Sequence, residues 1–312
     1  MKKSALFQWG LSLVVLLGVG YGAYKYLSGR AVLDALETFN SWYTGPVLVL
    51  STLYLALKGW RFVVLLRPVC DLPPGTVFRA YVAGTGATLL PGGVTARLGL
   101  FKQAGVPVST TSAPLILSSL LDQAVFIAGA LVAAIWFPEA RGVALTVIAV
   151  LCGLGLGLLL RPVRSWAARA LEGASRRLHL HEKWQGFAAA WNALSSVKVL
   201  GSSLGLTALA FALKIVALDL CLRGLEWHLP YPVLFAAFML PTLLGRLSPL
   251  PAGVGVTEAA MVGVLVAGSE ISPAVAFAAV ALFRVATVLF GALLGTLMFF
   301  FGWHGEREAA PT

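Results

Sequence analysis

Eight ionisable side chains of this 312-residue sequence stand inside runs of apolar residues: Lys58, Arg61, Asp122, Lys214, Asp219, Arg246, Glu258 and Arg284. A charge in such surroundings loses its hydration. The cost is roughly 2.5–3.5 kcal/mol on membrane-insertion scales, so each is a candidate for binding, pairing or proton transfer. Arg246 and Arg284, with Arg97 nearby in sequence to another break, could grip phosphate oxygens, because a planar guanidinium presents its donors as a fork. Asp122 and Glu258 could gate that site or take up a proton. The competing reading is structural. Asp122 and Arg284 both fall near the middle of their apolar runs and could bridge one another. Lys58 and Arg61 share a helix face near the end of theirs and could snorkel to an interface. Lys214 and Asp219, five apart, lie off a common face, so they are not expected to pair with each other and could instead pair with other helices.

The second chemical element is backbone. Pro91-Gly92-Gly93-Val94 and Pro251-Ala252-Gly253-Val254-Gly255 each interrupt an apolar stretch. Proline lacks an N–H and glycine admits positive φ, so a helix should stop at both places. A half-helix restarting after each break would turn unpaired N–H groups inward, an arrangement that favours anions. Gly92, Gly93, Gly253 and Gly255 would then form the floor of a site. Glu258, in the first turn of the second half-helix, could occupy that positive end itself. The alternative role of the glycines is close helix packing.

Other chemistries are absent from the pattern. Ser118, Ser119, Ser202 and Ser203 have no nearby His, and there is no G-x-S-x-G, P-loop or paired-carboxylate signature. Cys70, Cys152 and Cys221 are odd in number and dispersed, so neither a disulfide framework nor a metal site is expected. No cofactor and no nucleic-acid partner is expected. An enzyme is disfavoured against a transporter.

The elements that must position these residues are membrane helices. Hydrophobic residues make up 59% of the chain and charged residues 12%, against about 25% charged in soluble domains. Apolar runs cover about 6–27, 45–66, 112–136, 142–160, 199–222 and 273–301, long enough to span. The first is read as an uncleaved helix rather than a signal peptide. Three shorter runs, 76–90, 233–247 and 252–267, flank the two breaks. The expected fold is all-α and polytopic, a single membrane domain with about six spanning helices and two re-entrant hairpins, 76–104 and 233–267. The breaks stand 160 residues apart, and each is followed by a Gly/Pro loop and a long helix with one central charge. This suggests repeats over 45–136 and 199–301. With the N-terminus inside, 14 of 23 Lys and Arg fall on the cytoplasmic side and 4 outside, which makes the halves inverted and both termini cytoplasmic. Residues 161–198 read as a basic amphipathic helix at the interface followed by a short link. Most of the +10 net charge is therefore a topology signal.

The segment LLPGGVTARLGLFKQAGVP, with the Asp122 helix after it, resembles the first motif of the lysylphosphatidylglycerol synthase transmembrane-region family. SPLPAGVGVTEAA, with the helix containing ALFRVAT, resembles the second. Pro91, Gly93, Arg97, Asp122, Pro251, Gly253, Gly255, Glu258 and Arg284 fall on family-like positions, and the likeness covers roughly 40–300. Two positions depart: Val94 and Ser118-Ser119 stand where charged residues are common. The resemblance implies a flippase-like protein of the bacterial inner membrane, lacking the soluble aminoacyl-transferase domain that some members carry.

The resulting expectation is translocation of an anionic or phosphate-bearing lipid or lipid-linked precursor between leaflets. Membrane lipids would be the partners, with lipid- or glycan-synthesis enzymes as further ones. The alternatives are an intramembrane lipid-modifying transferase and a non-catalytic membrane subunit of a lipid or glycan synthesis complex.

Overall fold

A computed structural model describes residues 29–87, 93–136, 181–194, 196–248 and 253–303. Those residues form helices and turns, with no strand among them. The helices are α1 (Gly29–Glu37), α2 (Thr44–Leu66), α3 (Pro74–Ala83), α4 (Gly93–Gln103), α5 (Val108–Trp136), α6 (His181–Leu194), α7 (Val197–Gly224), α8 (Tyr231–Leu247), α9 (Val256–Ala267) and α10 (Pro273–Gly302).

Four of these are long and apolar enough to cross a membrane. They are α2 with its leading 3-10 turn (Ser41–Leu66), α5, α7 and α10, with 26 to 30 residues each. At 1.5 Å per residue, each exceeds a hydrocarbon core of about 30 Å. The protein is thus an all-α polytopic membrane protein. The two other expected spans, 6–27 and 142–160, lie outside the described residues, as do 161–180 of the basic segment. From residue 181 that segment is helical, where a short link was expected. The reason is packing: Ala190 and Leu194 of α6 are buried against Leu117 and Leu121 of α5.

α3, α4, α8 and α9 have 10, 11, 17 and 12 residues. None reaches the roughly 20 residues of a span. They form two broken pairs, α3–α4 and α8–α9, at the two Pro/Gly interruptions. α8 runs on through Pro241 and stops only at Ser248. The second turn is set by Gly253 at φ +64° and Gly255 at φ +88°, values that glycine adopts without steric cost. A side chain on Gly253 would also meet the Gly245 carbonyl at 2.7 Å.

The two pairs pack reciprocally. α8 lies against α5, the long helix that follows the first pair, and α3 lies against the C-terminal part of α10, the long helix that follows the second. α2 and α7 pack along one another between them. The main core joins α5, α7, α8 and α10 through four phenylalanines. Phe126 stacks on Phe211 at 4.3 Å between ring centroids, Phe238 lies 5.9 Å from Phe126, and Phe283 meets Phe238 edge-on at 6.2 Å. Offset and edge-to-face contacts of this kind each add about 0.5–1.5 kcal/mol beyond burial.

Opposed re-entrant pairs have a direct test in labelling. In a background with all three native cysteines replaced by Ser, Gly92→Cys and Ser248→Cys should react with membrane-impermeant maleimide from opposite faces of oriented vesicles. Reaction of both from one face would remove the inverted arrangement.

Candidate functional site

Asp122, fourteen residues into the 29-residue α5, is buried at 5% exposure. Three cations converge on it from two other helices. Lys58 of α2 donates to both carboxylate oxygens at 2.6 Å. Arg61, one turn further along α2, donates from Nη1 to Oδ1 at 2.5 Å. Arg246, in the last turn of α8, donates from Nη2 to Oδ2 at 3.1 Å. The outward-snorkelling alternative for Lys58 and Arg61 does not occur, since they are 5% and 1% exposed. Carboxylate neutralisation favours the inward rotamers: three residues apart on α2, both reach the same group on α5.

Arg61 also ties the site to its surroundings. Nη1 donates to Thr207 Oγ1 of α7 at 2.5 Å, and Nη2 donates to the hydroxyl and carbonyl of Ser118. The neutral hydroxyl of Ser118 thus accepts from a cation. The aromatic core supports the charges from beneath. Lys58 Nζ lies 5.4 Å from the Phe211 ring centroid and the Arg246 guanidinium 5.2 Å from that of Phe126, within cation–π range.

A second ion pair stands at the same α8–α9 break, on its far side. Arg284 Nε meets Glu258 Oε1 at 2.5 Å. The other Glu258 oxygen accepts from the Gly255 backbone N–H at 2.6 Å. Glu258 thus caps the positive end of its own half-helix, the alternative that its first-turn position allowed. The alternative Asp122–Arg284 bridge does not form: Asp122 pairs with Lys58, Arg61 and Arg246, and Glu258 with Arg284.

Both arginines line one cavity of about 360 Å³ between α5 and the α8–α9 turn, with Ser119, Gln123, Thr242 and Thr257. Arg246 Nη1 donates to Gln123 Oε1 at 3.2 Å. Gly253 forms part of the cavity floor, whereas Gly255 serves the α9 cap. The structure therefore brings Asp122, Arg246, Gly253, Glu258 and Arg284 together. Arg97 is not in this wall. Its guanidinium lies 4.5 Å from the Tyr81 ring centroid, beside the first break. Gly92 lies outside the described residues, and Gly93 is the first residue of α4.

Lys58 and Arg61 were candidates by their charge, but the sequence did not place them with Asp122. Their one-face spacing opposite a lone aspartate was the available signal. Lys214 and Asp219 are apart, as their spacing required. Asp219 pairs with Arg223 at 2.8 Å one turn along α7. Lys214 donates to the Thr287 carbonyl at 3.3 Å and lies 4.2 Å from the Tyr54 ring centroid. Thr287 belongs to Val285–Leu289, where α10 widens into a π-helical turn directly after Arg284. Such turns redirect carbonyls that a regular helix would use itself, and they are frequent at functional sites.

A family model described as lysylphosphatidylglycerol synthase TM region matches residues 9–295. No curated protein matches the chain.

Removing the shared carboxylate should leave two buried cations, Lys58 and Arg61, facing each other and the part-exposed Arg246. Asp122→Asn should cost about 3–5 kcal/mol, read as a lowered thermal midpoint in detergent. The double variant Lys58→Met/Asp122→Asn should recover part of that loss. A double variant no more stable than Asp122→Asn would show that the pairing does not carry the stability.

Proposed function

This chain belongs to the lysylphosphatidylglycerol synthase transmembrane-region family, and from that membership we propose that it moves an anionic, phosphate-bearing lipid or lipid-linked precursor between membrane leaflets. The observation that carries the reading is a surplus of positive charge around a polar cavity in an apolar helix bundle. Among the described residues, Lys58, Arg61 and Arg246 pair with Asp122, and Arg284 with Glu258. These six side chains sum to a formal charge of +2. In a bilayer interior an anion that balances that charge is strongly favoured.

The geometry suggests how such an anion would be taken up. Arg246 and Arg284 border the cavity, and each is held by a carboxylate in its absence. A phosphate entering the cavity would compete for their donors, while Asp122 keeps Lys58 and Arg61. The arginines are thus preorganised as forks for phosphate oxygens. Asp122 and Glu258 act as gates, because each can reclaim its arginine when the ligand leaves. Arg97, at the other break, would receive the headgroup on the far side of the cycle. Alternating access would come from one inverted half rocking against the other along the α2–α7 contact. On this reading the protein sits in the bacterial cytoplasmic membrane with both termini inside, next to the lipid- or glycan-synthesis enzymes that make or use its cargo.

Purified protein in liposomes should accelerate the exchange of labelled anionic lipids over protein-free vesicles. Arg246→Gln and Arg284→Gln should each slow it by about tenfold or more, the equivalent of one lost charge-assisted contact. If no lipid in a broad panel moves faster than in empty vesicles, translocation is excluded. Product formed from a lipid and a donor in detergent, where no leaflets exist, would instead identify a transferase.

A further inference from the structure

Among the described residues, one buried cation takes no part in the site's ion pairs. Lys214, midway along α7 and 7% exposed, donates to the Thr287 carbonyl of α10 at 3.3 Å. Its ammonium lies 4.2 Å from the Tyr54 ring centroid and 5.8 Å from that of Phe283. A charge at this depth is costly, and methionine would fill the same space without that cost. A lysine here therefore points to a task other than packing.

The backbone it holds is unusual. Thr287 is the centre of the π-helical turn Val285–Leu289, and Arg284 immediately precedes that turn. A π-turn carries one residue more than the α-helical turn it replaces and is rare unless its surroundings support it. Thr287 serves the turn twice. Its hydroxyl donates to the Phe283 carbonyl at 2.6 Å, and its own carbonyl accepts from Lys214.

The extra residue matters because both flanks of α10 are fixed. Upstream, Ala276, Ala279, Val280 and Phe283 are buried in the main core. Downstream, the backbone of α10 lies directly on α3 and the turn after it. A side chain on Gly295 would strike the Val82 carbonyl at 2.8 Å, and one on Gly86 the Thr296 nitrogen at 2.9 Å. One residue turns an α-helix by about 100°. Relaxing the π-turn to α-helix would rotate one flank against the other by about that angle. With the downstream flank seated on α3, the rotation would fall on Arg284 and its bond to Glu258.

Resting on the translocase reading for its transport readout, we propose that Lys214 is a positioning residue for Arg284. By holding the Thr287 carbonyl it keeps the π-turn in the form that points Arg284 at Glu258 and into the cavity.

Hydrogen exchange of the full chain in detergent tests the hold itself. In Lys214→Met the amides of 285–290 should exchange about tenfold faster, with those of α5 unchanged. The thermal midpoint should stay equal or rise, because a buried charge has been replaced by an apolar side chain. A variant that fails to fold or melts lower would show a structural role and overturn the proposal, as would unchanged exchange in these amides. Transport tests the link to Arg284. In liposomes with acyl-labelled phosphatidylglycerol, Lys214→Met should slow movement between leaflets by about tenfold. Lys214→Arg, which keeps a donor and a cation beside Tyr54, should retain most of the rate. Lys214→Met/Arg284→Gln should be no slower than Arg284→Gln alone, since both act through one group. Effects that multiply in the double variant would overturn the proposal while leaving translocation intact. If the unaltered protein moves neither this lipid nor any other of a broad panel, the translocase reading falls, and hydrogen exchange alone decides whether Lys214 holds the turn.

Discussion

The structure turns on one carboxylate shared by three cations. Asp122 lies in the middle of a membrane-length helix, where it cannot stay ionised without close partners. Satisfying it draws α2 and α8 onto α5, and Arg61 extends the link to α7 through Thr207. In an apolar solvent there is little hydrophobic force to bring helices together, so packing and polar contacts must do it. The aromatic chain of Phe126, Phe211, Phe238 and Phe283 supplies the packing directly beneath the charges. The polar centre and the apolar core are therefore one assembly rather than two.

That arrangement explains why the site sits at the second break. α8 ends at Leu247, one residue past Arg246, so the guanidinium is delivered to the edge of the turn. The turn itself depends on two glycines in the left-handed region and on Glu258 capping α9. Arg284 then reaches Glu258 from α10, and a cavity remains between the two arginines. The first break is built differently. Arg97 rests on Tyr81, and the adjoining space is lined by small and apolar residues such as Ala83, Gly86, Ala96 and Leu100, with Thr296 and Phe299 of α10. The described surroundings of the two breaks thus differ in chemistry, polar and cationic at the second, mainly apolar at the first.

α10 has a feature suited to motion. Its helical ladder shifts to π-helical turns at Val285–Leu289 and again at Met298–Gly302. The first follows Arg284 without interruption and presents the Thr287 carbonyl to Lys214. The contact joins the turn beside Arg284 to α7, the helix that runs along α2.

Much of this was legible in the chain itself. Composition and run length determined a membrane protein of helices, because a backbone in lipid must satisfy its own hydrogen bonds. Pro91, Pro251 and the glycines beside them marked where helices stop, since those residues act locally through φ and a missing donor. Arg246, Asp122, Glu258 and Arg284 stood out because charges are rare in apolar runs. Their pairing did not follow, and neither did the inward turn of Lys58 and Arg61. Whether a side chain 64 residues away meets Asp122, or a guanidinium lies on Tyr81 rather than in the cavity, depends on crossing angles and helix ends that no local pattern encodes. The sequence by itself determined which residues carry unusual chemistry and where helices break. Only the tertiary structure decided which charges neutralise each other, and so which two arginines border an open cavity.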